Sequence, residues 1–197
     1  MPWLPEPEPG TRVCLGFDGS ETSDWTCIRA ETFDGFSFTP RWGQAGTLWN
    51  PDEHGGRIPR AEVDAAVDEL FDRFMVERMY CDPPLWRTEI ETWAGRHGDE
   101  RVIEWPTYRP MPMFDALERF VTDLTTARVT HDGCPDTARH VANARVSRRR
   151  DGRYVLTKPD AERKIDAAMT TVLAHEAAAD ARAAGWSTSA GPTIFFL

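Results

Sequence analysis

Apolar and polar positions near the start of the chain alternate with a period of two. Val13, Leu15 and Phe17 are separated by smaller residues, and the run ends at Asp18 before a Gly-Ser pair. One packed face of a β-strand requires this alternation, so we predict a short buried strand that ends on a carboxylate. Such a carboxylate either bonds the backbone of a turn or, when it is held rigidly, binds a ligand such as a metal ion.

Two more strands are predicted immediately after this turn. Residues 25–31 are rich in strand-forming residues, and residues 36–39 alternate after an Asp-Gly hairpin signal. Because short turns join the three strands, we expect an antiparallel meander with Asp18 at one end of its first strand. Residues 43–58, which contain several glycines with proline and asparagine, predict a loop.

The spacing of apolar residues becomes helical after Pro59. Apolar positions from 63 to 74 recur at intervals of three and four, as on one face of a helix. A strand then ends on Asp82 before two prolines. Next come a helix containing three apolar residues, a strand over 101–106 and another amphipathic helix. This order of strand, helix, strand and helix predicts parallel strands joined by right-handed crossovers.

The last third of the chain predicts a basic hairpin and a long helix. After an irregular link over 128–137 and a short helix, residues 145–156 show a hairpin pattern with an Asp-Gly turn. The hairpin carries five arginines, Arg145, Arg148, Arg149, Arg150 and Arg153. We expect Asp160 to cap the final helix, Asp166 to lie at the edge of its apolar stripe, and Gly185 to end it.

Composition narrows the classes of protein that the chain can belong to. Its 197 residues suit one domain, and no run of 18 apolar residues predicts a membrane span. The four cysteines lack the spacing of zinc ligands, so we expect reduced core thiols in a cytoplasmic protein. The chain has neither a GxxxxGK[ST] phosphate loop nor a GxGxxG motif, so nothing in it predicts binding of ATP or a dinucleotide.

Charge is distributed unevenly along the chain. The net charge is −9, and residues 1–138 hold 13 arginines against 26 acidic residues. Residues 139–164, by contrast, hold nine basic residues against three acidic ones. Arginine outnumbers lysine 21 to 2, a bias that we attribute to the source genome. The net charge by itself argues against a nucleic-acid partner, but its distribution shows an acidic chain with one basic segment.

The predicted elements place three carboxylates where they can converge. Asp18 and Asp82 end two strands of the sheet, and a helix packed on that sheet carries Asp166. Converging carboxylates require a cation, and oxygen ligands select Mg²⁺ or Mn²⁺. Two such ions about 3.5–4 Å apart can activate water and stabilise the leaving oxygen of a phosphodiester. The basic hairpin would supply phosphate contacts.

Each of these features also has an ordinary structural interpretation. Asp18 can be a turn residue, and Asp82 can cap the helix after the two prolines. Asp166 can be a solvated residue at the boundary of a helix face. The basic run can be an exposed strand face. The residues taken one at a time do not decide between these interpretations and a metal site.

Four stretches of the chain resemble one known family in their order and spacing. They are residues 15–20 (LGFDGS) with 24–26 (DWT), residues 80–86 (YCDPPLW), residues 120–131 (ending in RVTH), and residues 163–169 (RKIDAAM) after Asn143 and the hairpin. The chain resembles the nuclease domain of a tailed-bacteriophage or prophage large terminase subunit, a member of the ribonuclease H-like superfamily. The resemblance extends from about residue 11 to about residue 180 and implies an α/β fold. That fold is a mixed sheet of three antiparallel strands plus parallel strands, flanked by helices, with an added β-hairpin.

The resemblance also implies an activity and a site. It implies a metal-dependent endonuclease that cuts double-stranded DNA during phage genome packaging, leaving 3′-hydroxyl and 5′-phosphate ends. Asp18, Asp82 and Asp166 would be the catalytic residues and the ligands of magnesium or manganese (Mg²⁺ or Mn²⁺), with two ions bound. Lys164 would contact phosphate or pair with Asp160. His131 and His140 are assigned to no role in the site.

Partners and domain organisation follow from the same resemblance. The implied partners are double-stranded DNA, a terminase ATPase domain or chain, the small terminase subunit and the portal, all in the host cell cytoplasm. A whole large terminase carries an ATPase motor with a phosphate loop, so we expect this chain to be an excised domain or to work with a separate motor chain. We expect a proline-rich lead-in or linker stub over 1–10, a nuclease domain over 11–185, and a tail over 186–197 that ends in four apolar residues able to dock on the core.

Two other functions remain open at the level of sequence. One is another ribonuclease H-like nuclease, such as a junction resolvase or an RNA nuclease. The other is a catalytically silent docking module of a packaging complex, which would show no metal dependence. The acidic balance of the chain predicts weak, salt-sensitive binding of DNA by the isolated protein.

Overall fold

A mixed β-sheet forms the centre of the protein in a computed structural model, which describes residues 6–150 and 152–186. The strands are β1 (Arg12–Asp18), β2 (Thr26–Thr32), β3 (Phe36–Phe38), β4 (Arg41–Trp42), β5 (Ala45–Gly46), β6 (Leu48–Trp49), β7 (Met75–Cys81), β8 (Val102–Glu104), β9 (Thr130–His131), β10 (Arg145–Arg148) and β11 (Tyr154–Thr157). The helices are α1 (Arg60–Arg73), α2 (Arg87–His97), α3 (Pro110–Thr125), α4 (Pro135–Asn143) and α5 (Asp166–Ala183), with a short 3-10 helix at Pro51–His54.

The order of strands confirms the predicted mixture of antiparallel and parallel pairing. Neighbouring strands follow the order β8-β7-β1-β2-β3-β9, and β6 also pairs with β2. The meander β1-β2-β3 is antiparallel, whereas β1, β7 and β8 are parallel. The prediction of an irregular link over 128–137 is wrong in part, because β9 pairs with β3. The two residues of β9 are too few to show an alternating pattern in the sequence.

The two faces of β1 pack against different helices. Val13, Leu15 and Phe17 lie in one core with residues of α1 and α2, and the ring of Phe17 meets that of Trp93 edge-on at 5.0 Å. Cys14, on the opposite face, packs with residues of α5. Since side chains alternate along a strand, Asp18 belongs to the face that α5 covers.

The final helix, α5, is buried on nearly every side. The prediction of a single apolar stripe is too narrow, because the sheet covers one side of α5 while α3 and α4 pack against another. The predicted cap is wrong, since Asp160 instead accepts hydrogen bonds from the amides of Glu162 and Arg163 at 3.1 and 2.9 Å. Gly185 follows the end of the helix at φ 99°, as predicted for a helix stop.

The predicted basic hairpin is present as β10 and β11, which pair in antiparallel register. Tyr154 anchors it to α3 through an edge-on contact with Phe114 at 5.3 Å between ring centroids. All four residues of β10 are exposed, so the interpretation as an exposed strand face is correct. Exposure keeps the arginines of β10 in contact with solvent.

Several remaining predictions concern the periphery of the fold. All four cysteines are free and buried, as predicted. The described part of the lead-in is tied down, because Gly10 donates to the Arg73 carbonyl at 2.7 Å and Glu6 accepts from the Arg41 amide at 2.9 Å. The apolar end of the tail lies outside the described residues. No helix in the described ranges has the length and apolar character needed to cross a membrane.

Candidate active site

Asp18 and Asp82 lie side by side at the ends of two parallel strands. Phe17 is paired with Cys81 in the register of β1 and β7. The amide of Asp82 donates to the Phe17 carbonyl at 3.0 Å, which extends that register by one residue. The two carboxylates therefore meet at one edge of the sheet, as the sequence predicts.

Gly16 allows α5 to bring a third carboxylate to this edge. A Cβ atom at Gly16 would lie 2.4 Å from the Thr170 carbonyl oxygen and 2.5 Å from the Ala174 nitrogen. The backbone of α5 therefore rests directly on β1 two residues before Asp18. Thr170 is one helical turn after Asp166, which is the first residue of α5. This contact sets Asp166 near Asp18.

The electrostatics show that Asp18 lies within reach of the charges of the other two carboxylates. Burial, followed by the charges of Asp82, Asp166 and Asp24, raises the pKa of Asp18 well above its usual value. Burial and the charge of Asp24 raise the pKa of Asp166 to about 6. Burial raises the pKa of Asp82 despite its hydrogen bonds. Each ionised carboxylate is disfavoured by desolvation, and those of Asp18 and Asp166 are disfavoured further by neighbouring acids.

Neutral donors hold two of the carboxylates in place. Asp82 accepts from the amide of Thr107 at 3.0 Å and from its hydroxyl at 2.8 Å. One oxygen of Asp166 accepts from the amide of Trp25 at 3.3 Å. The alternative role of Asp82 as a helix cap is wrong, because α2 begins without a side-chain cap. Thr107 and Trp25 thus fix these carboxylates without neutralising their charge.

The chemistry of the three carboxylates fits a divalent cation. They supply hard oxygen ligands, and a cation between them would offset the repulsion that raises the pKa of Asp18. As the side chains stand, however, no group of three or more His, Cys, Asp or Glu residues in the described ranges is arranged to hold a metal ion. Oxygens of Asp82 and Asp166 are hydrogen-bonded to Thr107 and Trp25, so we expect side-chain rotation when an ion binds.

A fourth carboxylate, Asp24, lies close enough to Asp18 and Asp166 to raise the pKa of both, and it is absent from the site predicted from the sequence. It accepts from Lys158 at 2.6 Å and from Lys164 at 3.0 Å. Burial opposes ionisation of Asp24, but the two lysines lower its pKa. The alternative in which Lys164 pairs with Asp160 is wrong, because Lys164 pairs with Asp24, whereas Asp160 pairs with Arg163 at 3.3 Å. The sequence signal for Asp24 is the Asp-Trp-Thr stretch at 24–26, which belongs to the segments that resemble the terminase family.

Each of the two histidines His131 and His140 bonds a backbone amide. His140 is buried, and its Nδ1 accepts from the amide of Ala167 at 3.1 Å. Burial lowers the pKa of His140 to about 4, so the neutral ring can accept this bond at the start of α5. His131 lies on β9, and its Nδ1 accepts from the Gly133 amide at 3.1 Å. Within the described residues, neither ring bonds the carboxylate of Asp18, Asp82 or Asp166.

Comparisons of sequence relate the chain to proteins of mycobacterial phages. No protein-family model matches the chain. The Gene 13 protein of Mycobacterium phage D29 is 30% identical to it over 183 residues, which cover 87% of this chain and 30% of that protein. The chain thus spans about 30% of the length of this relative.

Comparisons of structure relate the fold to solved nucleases. The large terminase nuclease of thermophilic phage G20c with bound magnesium superposes with a TM-score of 0.66 at 13% identity, covering 89% of this chain and 90% of that one. The HK97 bacteriophage large terminase superposes with a TM-score of 0.59 at 17% identity, covering 89% of this chain and 40% of that one. This chain therefore has the ribonuclease H-like fold of the phage large terminase nuclease domains, as the sequence resemblance predicts.

Proposed function

We propose that the chain is the nuclease of a phage DNA-packaging terminase and that it hydrolyses double-stranded DNA with divalent metal ions. The observation that carries this proposal is the convergence of Asp18, Asp82 and Asp166 from three distant segments on one edge of the sheet. Burial and mutual repulsion disfavour this much negative charge without a cation. The magnesium bound by the G20c nuclease, and the cobalt bound in another structure of it, support the same chemistry.

In this proposal the residues of the chain have separate tasks. Asp18, Asp82 and Asp166 would hold Mg²⁺ or Mn²⁺, and bound ions of this kind activate water and stabilise the leaving oxygen. Thr107 orients the carboxylate of Asp82, and the Trp25 amide orients that of Asp166. Arginines of the β10-β11 hairpin bind the DNA backbone. The expected products carry 3′-hydroxyl and 5′-phosphate ends.

Nicking of supercoiled plasmid by the 197-residue chain tests this function directly. We expect conversion to the nicked and linear forms with Mn²⁺ or Mg²⁺ and none with EDTA. Asp18→Asn and Asp166→Asn should each abolish cutting, because they remove metal ligands while keeping the side-chain shape. Asp72→Asn is the matched control, since Asp72 is an exposed acid on α1. If Asp18→Asn cuts as fast as the parent, the assignment of the site is wrong.

The choice of substrate separates a terminase nuclease from related enzymes. Linear duplex, branched DNA and an RNA–DNA hybrid would be compared under the same metal conditions. A terminase nuclease should cut the linear duplex with little sequence preference. A strong preference for the branched substrate or the hybrid would favour a junction resolvase or an RNA nuclease.

A second candidate function is a catalytically silent docking module of a packaging complex. The observation in its favour is that carboxylate oxygens of Asp82 and Asp166 are hydrogen-bonded to Thr107 and Trp25. The described residues therefore contain no preformed metal site. Calorimetric titration with Mn²⁺ distinguishes the two functions. Heat of binding that is lost in Asp18→Asn supports the nuclease, whereas no binding supports the docking module.

The wider assembly is also part of the proposal. The chain covers 30% of the D29 protein and 40% of the HK97 large terminase, so the rest of a terminase would come from other segments or chains. We propose a terminase ATPase domain or chain, the small terminase subunit and the portal as partners. Because the chain carries a net charge of −9, its own affinity for DNA should be weak and sensitive to salt.

A further inference from the structure

Both lysines of the chain bind the same carboxylate. The sequence contains 23 basic residues, and only Lys158 and Lys164 are lysines. Their Nζ atoms lie 2.6 and 3.0 Å from Oδ1 of Asp24. Asp24 in turn contributes to the raised pKa of Asp18 and of Asp166. A genome bias toward arginine explains why lysine is rare, but not why both lysines lie beside the carboxylate cluster.

The two lysines differ in how many of their donors are already used. An ammonium group has three N–H donors. Lys164 uses all of them, because it donates to Asp24, to the Ser23 carbonyl and to the Ala161 carbonyl. Its side chain is only 20% exposed. Lys164 therefore links the loop before β2 to the segment before α5 through hydrogen bonds. Its ammonium has no donor left for a ligand.

Lys158 retains the capacity to bind a second group. Within the described residues its ammonium bonds Asp24 alone, and its side chain is 36% exposed. A partly exposed ion pair of this kind contributes little to stability, so a competing anion can replace the carboxylate. Lys158 also directly follows β11, so it continues the basic hairpin toward the carboxylate cluster. Its charge reaches the cluster, because it opposes the rise in the pKa of Asp166.

We propose that Lys158 binds a backbone phosphate of the DNA and that Asp24 holds its ammonium until the phosphate takes the place of the carboxylate. This inference rests on the proposed function, because it takes DNA as the ligand. A compact ammonium suits a single phosphate oxygen, whereas the planar guanidinium of arginine favours two-pronged contacts. Lys164 keeps Asp24 in position when Lys158 leaves it.

Binding of a fluorescein-labelled DNA duplex, followed by anisotropy over a series of KCl concentrations in EDTA, tests the role of Lys158. Lys158→Gln should weaken binding by about three- to tenfold at low salt. It should also reduce the slope of log K against log[KCl] by about 0.9, the value for one phosphate contact. Arg101→Gln is the matched control, because Arg101 precedes β8 at the opposite end of the sheet and is also exposed.

Removal of Asp24 tests the exchange between carboxylate and phosphate. Asp24→Asn should tighten DNA binding several-fold, because it frees Lys158 from its counter-ion. The gain should disappear in the double variant Asp24→Asn/Lys158→Gln. Asp72→Asn, which removes one negative charge far from the site, controls for the change in net charge. Thermal melting of each variant checks that the chain remains folded.

Three results would overturn the inference. They are equal effects of Lys158→Gln and Arg101→Gln, a gain from Asp24→Asn that persists without Lys158, and the absence of DNA binding at any salt concentration. The measurement in EDTA does not depend on cleavage. If the Lys158 effects appear but the plasmid is not nicked, the inference stands and the proposed nuclease fails. If nicking occurs without them, the nuclease stands and the inference fails.

Discussion

At the scale of single residues, the carboxylates of the candidate site are hydrogen-bonded by neutral donors rather than paired with basic side chains. Asp82 is bound by Thr107 and Asp166 by the Trp25 amide, and both of these partners are neutral donors. Burial and neighbouring acids raise the pKa of Asp18 well above its ordinary value. Such a site costs stability in the metal-free protein, as expected for groups placed for function rather than for folding.

We expect Asp166→Asn to stabilise the metal-free protein at pH 8. The pKa of Asp166 is raised to about 6 in the folded chain, so the folded state favours the protonated form. The stability that the protonated Asp166 gives to the folded state is present at low pH and is lost as the pH rises through about 6. Asparagine removes the charge, so unfolding should become less favourable by on the order of 1–3 kcal/mol in thermal or denaturant melts.

The exposed Asp72→Asn, in contrast, should leave the melting temperature of the metal-free protein unchanged. The difference between Asp166→Asn and the parent should shrink as the pH falls from 8 to 5, because the parent carboxyl then becomes protonated. A lower melting temperature for Asp166→Asn at pH 8 would show that the charge of Asp166 is already compensated.

Thr107→Val should impair cutting more than it impairs folding. The hydroxyl of Thr107 bonds one oxygen of Asp82 at 2.8 Å, and valine keeps the shape of the side chain without that donor. A lost hydrogen bond to a charged acceptor is worth about 1.5–3 kcal/mol. We expect the plasmid nicking rate to fall by roughly tenfold or more at low Mn²⁺ and to recover in part at high Mn²⁺. A rate equal to that of the parent at low Mn²⁺ would exclude a positioning role for Thr107.

At the scale of elements, the site depends on the contact between α5 and β1. The glycine at position 16 lets the backbones of the two elements touch, and α5 then begins at the edge where β1 and β7 end. The sheet supplies two carboxylates by its register, while the helix supplies the third by its packing. The geometry of the site is therefore sensitive to any change in the distance between α5 and β1.

Gly16→Ala should shift α5 and reduce both stability and cutting. The added Cβ would lie 2.4–2.5 Å from backbone atoms of Thr170 and Ala174, which cannot move without the helix. Overpacking of this kind costs about 1–3 kcal/mol, occasionally more. Gly95→Ala is the matched control, because a Cβ there meets nothing within 4 Å inside α2. That change should stabilise the protein by about 0.5–1 kcal/mol.

Thermal melting and plasmid nicking of both alanine variants check this account. Cutting by Gly16→Ala should remain low even at temperatures where the variant is fully folded, because Asp166 is displaced. Full activity in the folded Gly16→Ala variant would show that the site tolerates movement of α5.

At the scale of the whole molecule, local patterns in the sequence predicted the order of elements well. Alternation located β1 and its terminal Asp18, and the strand–helix order predicted the parallel strands β7 and β8. The partners of the carboxylates were not predictable in this way. Thr107 bonds Asp82, and the two lysines bond Asp24, across long separations in sequence. Such contacts leave no periodic signal in the sequence. The burial of α5 was likewise underestimated, since α3 and α4 cover it only in the folded chain.

Metal binding should change the stability of the whole protein in a pH-dependent way. Mn²⁺ should raise the melting temperature, because it binds the folded state and relieves the repulsion among Asp18, Asp82 and Asp166. The rise should be larger at pH 8 than at pH 5, since protons compete for carboxylates with a raised pKa. The same melts in Ca²⁺ and in K⁺ at matched ionic strength distinguish ion binding at the site from general screening of charge. An equal shift with K⁺, or no shift in Mn²⁺ at pH 8, would argue against a site.

The most direct test of the central claim is a crystal of the protein soaked in Mn²⁺ and measured for anomalous scattering. The account predicts an anomalous peak bounded by the carboxylates of Asp18, Asp82 and Asp166, with the Asp166 or Asp82 side chain rotated away from its present donor. The same soak of Asp18→Asn crystals should lose the peak. Well-ordered crystals of the parent protein that show no manganese between these three carboxylates would contradict the account.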